Sequence, residues 1–385
     1  MNFSPHEVAE YLDSGIRVGA FPGAVAFWGS PRNEPSRVAA GLRGQSRNAV
    51  PVTFDLSYDL ASLTKLLATT SLALILVQKG LLDLHQPVAD GPLGRQLPAS
   101  LARSRLWRLI TPEHLMAHQS GLRPWLAIHR LPKTTLEQRR TAAFKAIWRD
   151  SAFEPGLQGP GQRTVYSDLN FIVLGFLMEA ISGQSLDRLF KQEVTGPLSL
   201  TRLTYRPLRG PLAPTEDGFR WGGPVGHPEA GYRGPTPLGR VHDDNAAWLG
   251  GISGHAGLFG PAEEVWRLAA EWDRAWSGGR SLIFQRETLT DFIRPRPTRE
   301  DGGRALGFNV KSRAAALAES CFSSATVGHT GYTGASLWWD PAHDFLWLFL
   351  TNRVHPRAVN PAWSPARYQA GPRLLRPYEE TRPRQ

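Results

Sequence analysis

The chain has 385 residues, enough to bury a substantial core as one large domain or two ordinary ones. Its 41% hydrophobic and 20% charged residues are those of a soluble globular protein, and a single cysteine, Cys321, excludes an intrachain disulfide framework and a cysteine-built zinc cluster. The net charge of +10 is carried mainly by arginines spread from Arg17 to Arg384. The densest groups, Arg103, Arg105 and Arg108 and then Arg139 and Arg140, are short and lack interleaved aromatics, which favours a solvated basic surface over nucleic-acid binding.

The opening MNFSPHEVAEYLDSGIRVG carries acidic residues and alternates apolar with polar, without the basic start and apolar run of a signal peptide. The longest apolar runs, such as residues 72–77 and 345–350, are too short to span a bilayer, so a cytoplasmic protein without a membrane partner is expected. Residues 5–16 predict a short amphipathic helix, and GAFPGAVAFWGS a turn and a strand with a hairpin partner at residues 36–42. A helix is predicted over residues 62–79, with Leu63, Leu66, Leu67, Leu74 and Val77 on one apolar face and Gly80 as its stop.

Helical patches separated by Pro- and Gly-rich stretches fill residues 81–299, the clearest at 171–182 and 263–276, with residues 206–239 read mostly as loop. Strand signals return at 305–310, 325–329, 336–340 and 344–351. Strands at both ends and helices between them predict an α+β fold. Residues 1–80 and 300–385 form an antiparallel sheet region flanked by helices, residues 81–299 a mainly helical region, and the two together one unit.

Within the 62–79 helix, Ser62 and Lys65 share a face and lie within reach of each other. A helix start favours an oxyanion, and a lysine in a site of low polarity acts as a proton acceptor, so Ser62 reads as a nucleophile that Lys65 helps to deprotonate. The ordinary alternative is a serine N-cap followed by an exposed lysine, but the helix is apolar enough to be buried, and a charge there needs a reason. TVYSDLNFIVLG offers the Tyr166 hydroxyl for a proton relay and Asp168 to hold the lysine; otherwise Asp168 is an N-cap. GHTGYTGASLWWDP places His329, Thr330 and Gly331 at a strand end, where the backbone can donate to an oxyanion and Gly331 admits a close substrate; otherwise this is a hairpin turn.

Ser62-Leu63-Thr64-Lys65, Tyr166-Ser167-Asp168 and His329-Thr330-Gly331, in this order, resemble the three active-site motifs of the serine β-lactamase and penicillin-binding-protein superfamily. The tyrosine makes the second motif similar to that of the class C branch, which includes D-aminopeptidase, carboxypeptidase and esterase relatives. FDLSYDLASLTK, TPEHLMAHQSGL, VHDDNAAWLGGISGHAGLFG and SLWWDP fit the same branch, so the similarity runs from about Gly23 to about Asn352. The resemblance implies an antiparallel sheet with helices beside an all-helical region, the site lying between them. It implies Ser62 as the acyl-accepting nucleophile, Lys65 and Tyr166 as the proton-transfer pair, and the amides of Ser62 and Tyr332 as the oxyanion hole. Neither a metal nor an organic cofactor is implied, and the partner is a small-molecule or short-peptide substrate.

Two departures stand out. Asp168 occupies the usual asparagine position, with Asn170 two residues on, and its carboxylate would favour charged Lys65 and shift the burden to Tyr166. His329 occupies the usual lysine position and is mostly neutral near pH 7, so it binds a substrate carboxylate less well. The expected activity is therefore that of an esterase or amidase/peptidase-like hydrolase acting through an acyl-enzyme, ahead of a strong β-lactamase. The rival is a non-catalytic sensor that acylates on a β-lactam or cell-wall peptide without turnover.

His242-Asp243-Asp244 with His255 resembles a fragment of a metal site, but no HExxH pair supports it, and the family resemblance makes the segment structural. His118 reads as a hydrogen-bonded structural histidine. The absence of GxSxG, P-loop and Rossmann glycine patterns counts against those folds. Trp338 and Trp339 must face opposite sides of one strand, while Trp125, Trp221 and Trp248 are candidates for an apolar acyl pocket.

Overall fold

The computed structural model describes residues 3–44, 50–96, 106–132, 134–149, 159–207, 210–220, 231–311 and 322–368. Arg103, Arg105, Trp221 and Cys321 lie outside the described residues. Helix Pro5–Arg17 opens on a capping box in which Ser4 and Glu7 satisfy each other's backbone amides, with Pro5 in the first turn. The chain then forms β1 (Gly23–Gly29), β2 (Ser36–Gly41) and the short β3 (Tyr58–Asp59). After the central part come β4 (Thr204–Tyr205), β5 (Asp217–Arg220), β6 (Gly231–Pro235), β7 (Leu258–Gly260), β8 (Asn309–Val310), β9 (Val327–Thr330), β10 (Ser336–Asp340) and β11 (Phe345–Thr351).

Six strands make one antiparallel sheet in the order β2-β1-β11-β10-β9-β8, built from the two ends of the chain as the sequence pattern anticipates. Every residue of β11 is buried, because both faces of the sheet are covered. The alternation along each strand sorts the side chains. Val25, Phe27, Leu337, Trp339, Leu346 and Leu348 belong to the main core, whereas Ala26, Trp28, Trp338, Trp347 and Phe349 face the first helix and Tyr368. Trp338 and Trp339 do point to opposite faces, but both are fully buried and neither lines a cleft. Helix Ala262–Trp276 lies on the main-core face, where Trp272 and Trp276 reach Trp339 at ring separations of 6.4 and 6.1 Å.

The middle of the chain holds helices Pro112–Met116, Leu136–Arg149, Asp168–Ser182 and Asp244–Trp248 among others. Two small sheets are also present, β3-β7-β4, which joins the N-terminal part to the middle of the chain, and the pair β5-β6, inside the stretch read from sequence as loop. Strands of two to five residues carry too little periodicity to stand out between glycines and prolines. Among the described residues no single helix is long and apolar enough to cross a membrane. Arg139 and Arg140 are used in packing: Arg139 donates to the Trp248 carbonyl at 2.9 Å, and Arg140 pairs with Glu179.

Helix Asp168–Ser182 is buried along its first three turns, and it meets the segment around Gly254 at backbone contact. A Cβ on Gly254 would fall 2.1 Å from the Phe171 carbonyl oxygen and 3.0 Å from the Gly175 nitrogen. Gly254→Ala is therefore expected to lower stability by roughly 2–3 kcal/mol, the scale of core overpacking, read as a lower denaturant midpoint.

Candidate active site

Three distant segments meet at the edge of the main sheet. The first is the turn from β3 into the buried helix. Asp59 is the hub: its carboxylate accepts from the Ala61 amide at 2.9 Å and the His242 amide at 2.7 Å, while its carbonyl accepts from the Thr333 hydroxyl at 2.7 Å. Burial pushes the Asp59 carboxyl up from its ordinary value, opposed by those two amide donors. Ala61 is held at φ +46°, a left-handed conformation that a residue with a Cβ adopts only under constraint. The amides of Leu63, Thr64 and Lys65 fold back onto the carbonyls of Leu60, Ala61 and Ser62 at 3.0–3.1 Å, which turns Ser62 outward.

The helix expected over residues 62–79 is not a uniform α-helix. Lys65–Thr70 is a π-helical stretch that continues as the α-helix Ser71–Gln78. Thr70 Oγ1 donates to the Lys65 carbonyl at 2.9 Å, and Gly307 packs so closely on Thr70 that a Cβ there would lie 1.8 Å from that hydroxyl. Such widened turns occur where a helix carries functional groups.

Lys65 is completely buried. Its Nζ donates to Ser62 Oγ at 2.8 Å and to the His255 carbonyl at 3.2 Å, and it pairs with Asp168 Oδ1 at 2.8 Å. Burial pulls the Lys65 pKa down, but the charges of Asp168 and Tyr166 and their hydrogen bonds outweigh it, and the net direction is upward. The resting side chain is therefore an ammonium. This differs from the reading in which low polarity alone turns Lys65 into a proton acceptor, and the reason is the Asp168 carboxylate.

The second segment carries Tyr166, which is 37% exposed. Its ring lies 4.5 Å from that of His118, with Lys65 Nζ 5.2 Å and the Arg304 guanidinium 5.3 Å from its centre. The backbone on either side is pinned: Val165 donates to the His118 carbonyl at 2.8 Å, Ser167 to His118 Nδ1 at 3.0 Å, and Asp168 to the Pro124 carbonyl at 2.9 Å. His118 is buried at φ +56°, and burial, reinforced by the Arg304 and Lys65 charges, holds its pKa well below the usual imidazole range. It is a neutral positioning group, in keeping with its reading as structural. Asn170 does not stand in for the motif asparagine; it is buried between Ser120, at 2.6 Å, and His118. Trp248 is buried in the core, and Trp125, beside His129, is partly exposed on the loop that follows helix Pro112–Met116.

The third segment runs from β9 to β10. His329 is buried, and burial together with Arg304 and Lys65 drives its pKa far down, so it is neutral near pH 7. Its Nδ1 donates to the Thr330 carbonyl at 2.7 Å, which leaves Nε2 as an acceptor with no partner among the described residues. Gly331 meets a packing constraint that the sequence reading did not include. A Cβ there would sit 2.7 Å from the Leu60 carbonyl, so the glycine lets the third segment lie against the turn that presents Ser62. Tyr332 is held from both sides, with the Arg353 guanidinium 4.3 Å from its ring centre and the His242 ring stacked at 5.8 Å. Neither the Ser62 nor the Tyr332 amide donates to a backbone acceptor among the described residues.

Asp168, Asp243 and His255 also come together, with one ligand-type atom of each within 4.8 Å of the others. The Lys65 ammonium already supplies a cation to this group. No spacing or periodicity in the sequence joins Asp59, Asp243, His255 or Arg304 to the site.

Comparison with known proteins agrees with this geometry. The chain belongs to the Beta-lactamase family, whose model matches residues 12–371. It is 28% identical over 334 residues to a Salmonella typhi protein named provisionally as a D-alanyl-D-alanine carboxypeptidase, covering 84% of this chain and 75% of that one. A Salmonella agona protein of the same name is 29% identical over 331 residues, covering 83% and 74%. Its fold is shared with EstCE1, a hydrolase with promiscuous acyltransferase activity, at TM-score 0.70 and 23% identity over 90% of this chain and 93% of that one. An octameric penicillin-binding protein homologue from Pyrococcus abyssi matches at TM-score 0.70 and 18% identity, over 96% and 76%. The protein is thus a serine hydrolase of the Beta-lactamase family.

Gly331→Ala tests the contact between segments. Its Cβ would push the β9–β10 turn away from Leu60, and kcat/KM is expected to fall at least about tenfold, as misplaced reacting groups do, with far-UV circular dichroism unchanged.

Proposed function

We propose that the protein hydrolyses an ester or amide of a small molecule or short peptide through an acyl-enzyme on Ser62. The observation that carries this reading is the 2.8 Å hydrogen bond from buried Lys65 Nζ to Ser62 Oγ, with Tyr166 beside the same ammonium. Ser62 Oγ attacks the carbonyl carbon while Tyr166, in its ionised form beside the Lys65 ammonium, takes the serine proton on Oη. The Lys65 ammonium stabilises the developing negative charge on the serine oxygen, and the amides of Ser62 and Tyr332 receive the tetrahedral oxyanion. Collapse breaks the bond to the leaving group, which takes the proton from Tyr166. Water then attacks the acyl carbon, gives its proton through Tyr166, and releases the acid and free Ser62. The tyrosine in the second motif supports placement in the class C branch of the family.

The charges favour neutral substrates. His329 carries no charge at neutral pH, so the position that the family resemblance assigns to a carboxylate-binding lysine offers an acceptor instead. Neutral esters and amides fit this better than penicillins or peptides with a free carboxylate. A second reading, a sensor that acylates without turnover, draws support from the Asp168–Lys65 pair, which makes Lys65 a poor base for deacylation.

Intact-mass spectrometry after exposure to a fluorophosphonate is expected to show one adduct on the native protein and none on Ser62→Ala; labelling of Ser62→Ala would overturn the reading. Steady release of product from a neutral ester supports the hydrolase, and a single burst that leaves Ser62 acylated supports the sensor. His329→Lys is expected to raise kcat/KM for a carboxylate-bearing ester about tenfold relative to its neutral analogue, the scale of one charge-assisted hydrogen bond. An unchanged ratio would remove His329 from substrate recognition.

A further inference from the structure

Behind Lys65 lies a hydrogen-bond chain that the proposed mechanism does not use. Ser253 Oγ meets His255 Nδ1 at 2.7 Å, and His255 Nε2 meets Asp243 Oδ1 at 2.9 Å. Ser253 and His255 are buried, at 5% and 1% exposure. The carboxylate accepts, so His255 donates from Nε2, while Nδ1 shares a hydrogen with the Ser253 hydroxyl. The order Ser–His–Asp is that of a nucleophilic triad, but the serine sits at the buried end.

The chain is anchored on the wall of the Lys65 site. The carbonyl of His255 accepts from Lys65 Nζ at 3.2 Å, and the neighbouring Gly254 carbonyl accepts from the Thr69 hydroxyl at 2.6 Å, one turn along the same helix. The Tyr205 hydroxyl donates to the Ser253 carbonyl at 3.2 Å and fixes the far end. Asp243 is fixed in turn by the Ala246 amide at 2.7 Å, as the cap of helix Asp244–Trp248. Oxygens of Asp243 and Asp168 therefore approach within 4.8 Å. Two carboxylates that close repel each other unless a cation lies with them. Lys65 supplies that charge: it touches Asp168 directly, and its field lowers the Asp243 carboxyl, whose pKa lies far below the ordinary carboxylate range, with His255 as the leading favourable influence.

We infer that Asp243, set by the Ser253–His255 chain, is a second positioning carboxylate that holds Lys65 in place beside Ser62 as a fixed ammonium. Asp168 is then one side of a two-carboxylate cradle. The other groups facing Lys65 are Tyr166 and, at longer range, the neutral imidazoles of His118 and His329; Arg304 faces those imidazoles and Tyr166. The inference rests on the hydrolase reading only for its effect on rate, since the charge and position of Lys65 can be read without turnover.

The test uses the full chain with 13C at the lysine ε carbon. The sequence has six lysines, few enough for Lys65 to be assigned by its loss in Lys65→Arg. Asp243→Asn keeps the helix cap and removes the charge. The midpoint of the Lys65 signal is expected to fall by about one pH unit, a roughly tenfold change in protonation ratio, with the other lysines unmoved. kcat for a neutral ester is expected to fall at least tenfold with KM little changed. An unmoved Lys65 midpoint overturns the inference whatever happens to the rate, because a merely structural role for Asp243 would leave that titration unchanged. Should Asp243→Asn fail to fold, Ser253→Ala reads the same signal: a smaller downward shift supports the cradle and none overturns it. Absence of fluorophosphonate labelling on the native protein would overturn the hydrolase reading and leave the titration result standing.

Discussion

A fully buried ammonium is the constraint around which this site is arranged. Removing Lys65 from water is costly, and the cost is offset only because Asp168 lies 2.8 Å away and two oxygen acceptors, Ser62 Oγ and the His255 carbonyl, complete its donors. Breaking such a pair from one side typically costs about 3–5 kcal/mol, since the remaining charge stays buried. That penalty makes the arrangement selective. The helix beginning at Lys65 can be buried only when the segment bearing Asp168 and the segment bearing His255 are both in place, so the chemistry and the packing of the central region are specified together.

Bringing those segments together requires backbone that ordinary secondary structure does not provide. Ala61 and His118 both sit in left-handed conformations next to groups of the site, and the helix widens into π-geometry at Lys65. Each is stabilised by a specific neighbour. Asp59 holds the Ala61 amide, Val165 bonds the His118 carbonyl, and Thr70 closes the π-turn under Gly307. Asp59 also binds His242, 183 positions away, and Thr333, 274 positions away, so one buried residue ties the serine turn to the segment before Asp243 and to the loop after Gly331. Rigid placement of this kind fixes reacting groups without spending energy during reaction.

The parts of this design with strong periodicity or fixed spacing are visible in the sequence. The terminal strands alternate, the helices at 5–17, 168–182 and 262–276 have long apolar patterns, and the three motifs stand in order. The hub is invisible, because nothing about an aspartate two residues before Ala61 says which distant amide it will accept. The same holds for Asp243 and Arg304, whose effects depend on where loops end in space. Gly331 shows the limit most clearly: its type and position were legible, but its reason, contact with the Leu60 carbonyl, was not. The balance at Lys65 could not be weighed without distances either, since burial and a carboxylate push its pKa in opposite directions.

The two departures from the family pattern make sense as one electrostatic change. An aspartate at position 168 adds a negative charge beside Lys65, and a histidine at 329 withdraws a positive one from the third segment. His329 cannot regain that charge near neutrality, because it is buried and faces both Lys65 and Arg304. His118 is under the same pressures. Between two permanent cations, both imidazoles are poor candidates for any ionisation that governs activity between pH 6 and 8. Their protonation in acid works against the folded state instead, since each must gain a proton that its buried site rejects. The permanent charges beside Tyr166 near neutrality are therefore those of Arg304 and of Lys65, the latter paired with Asp168.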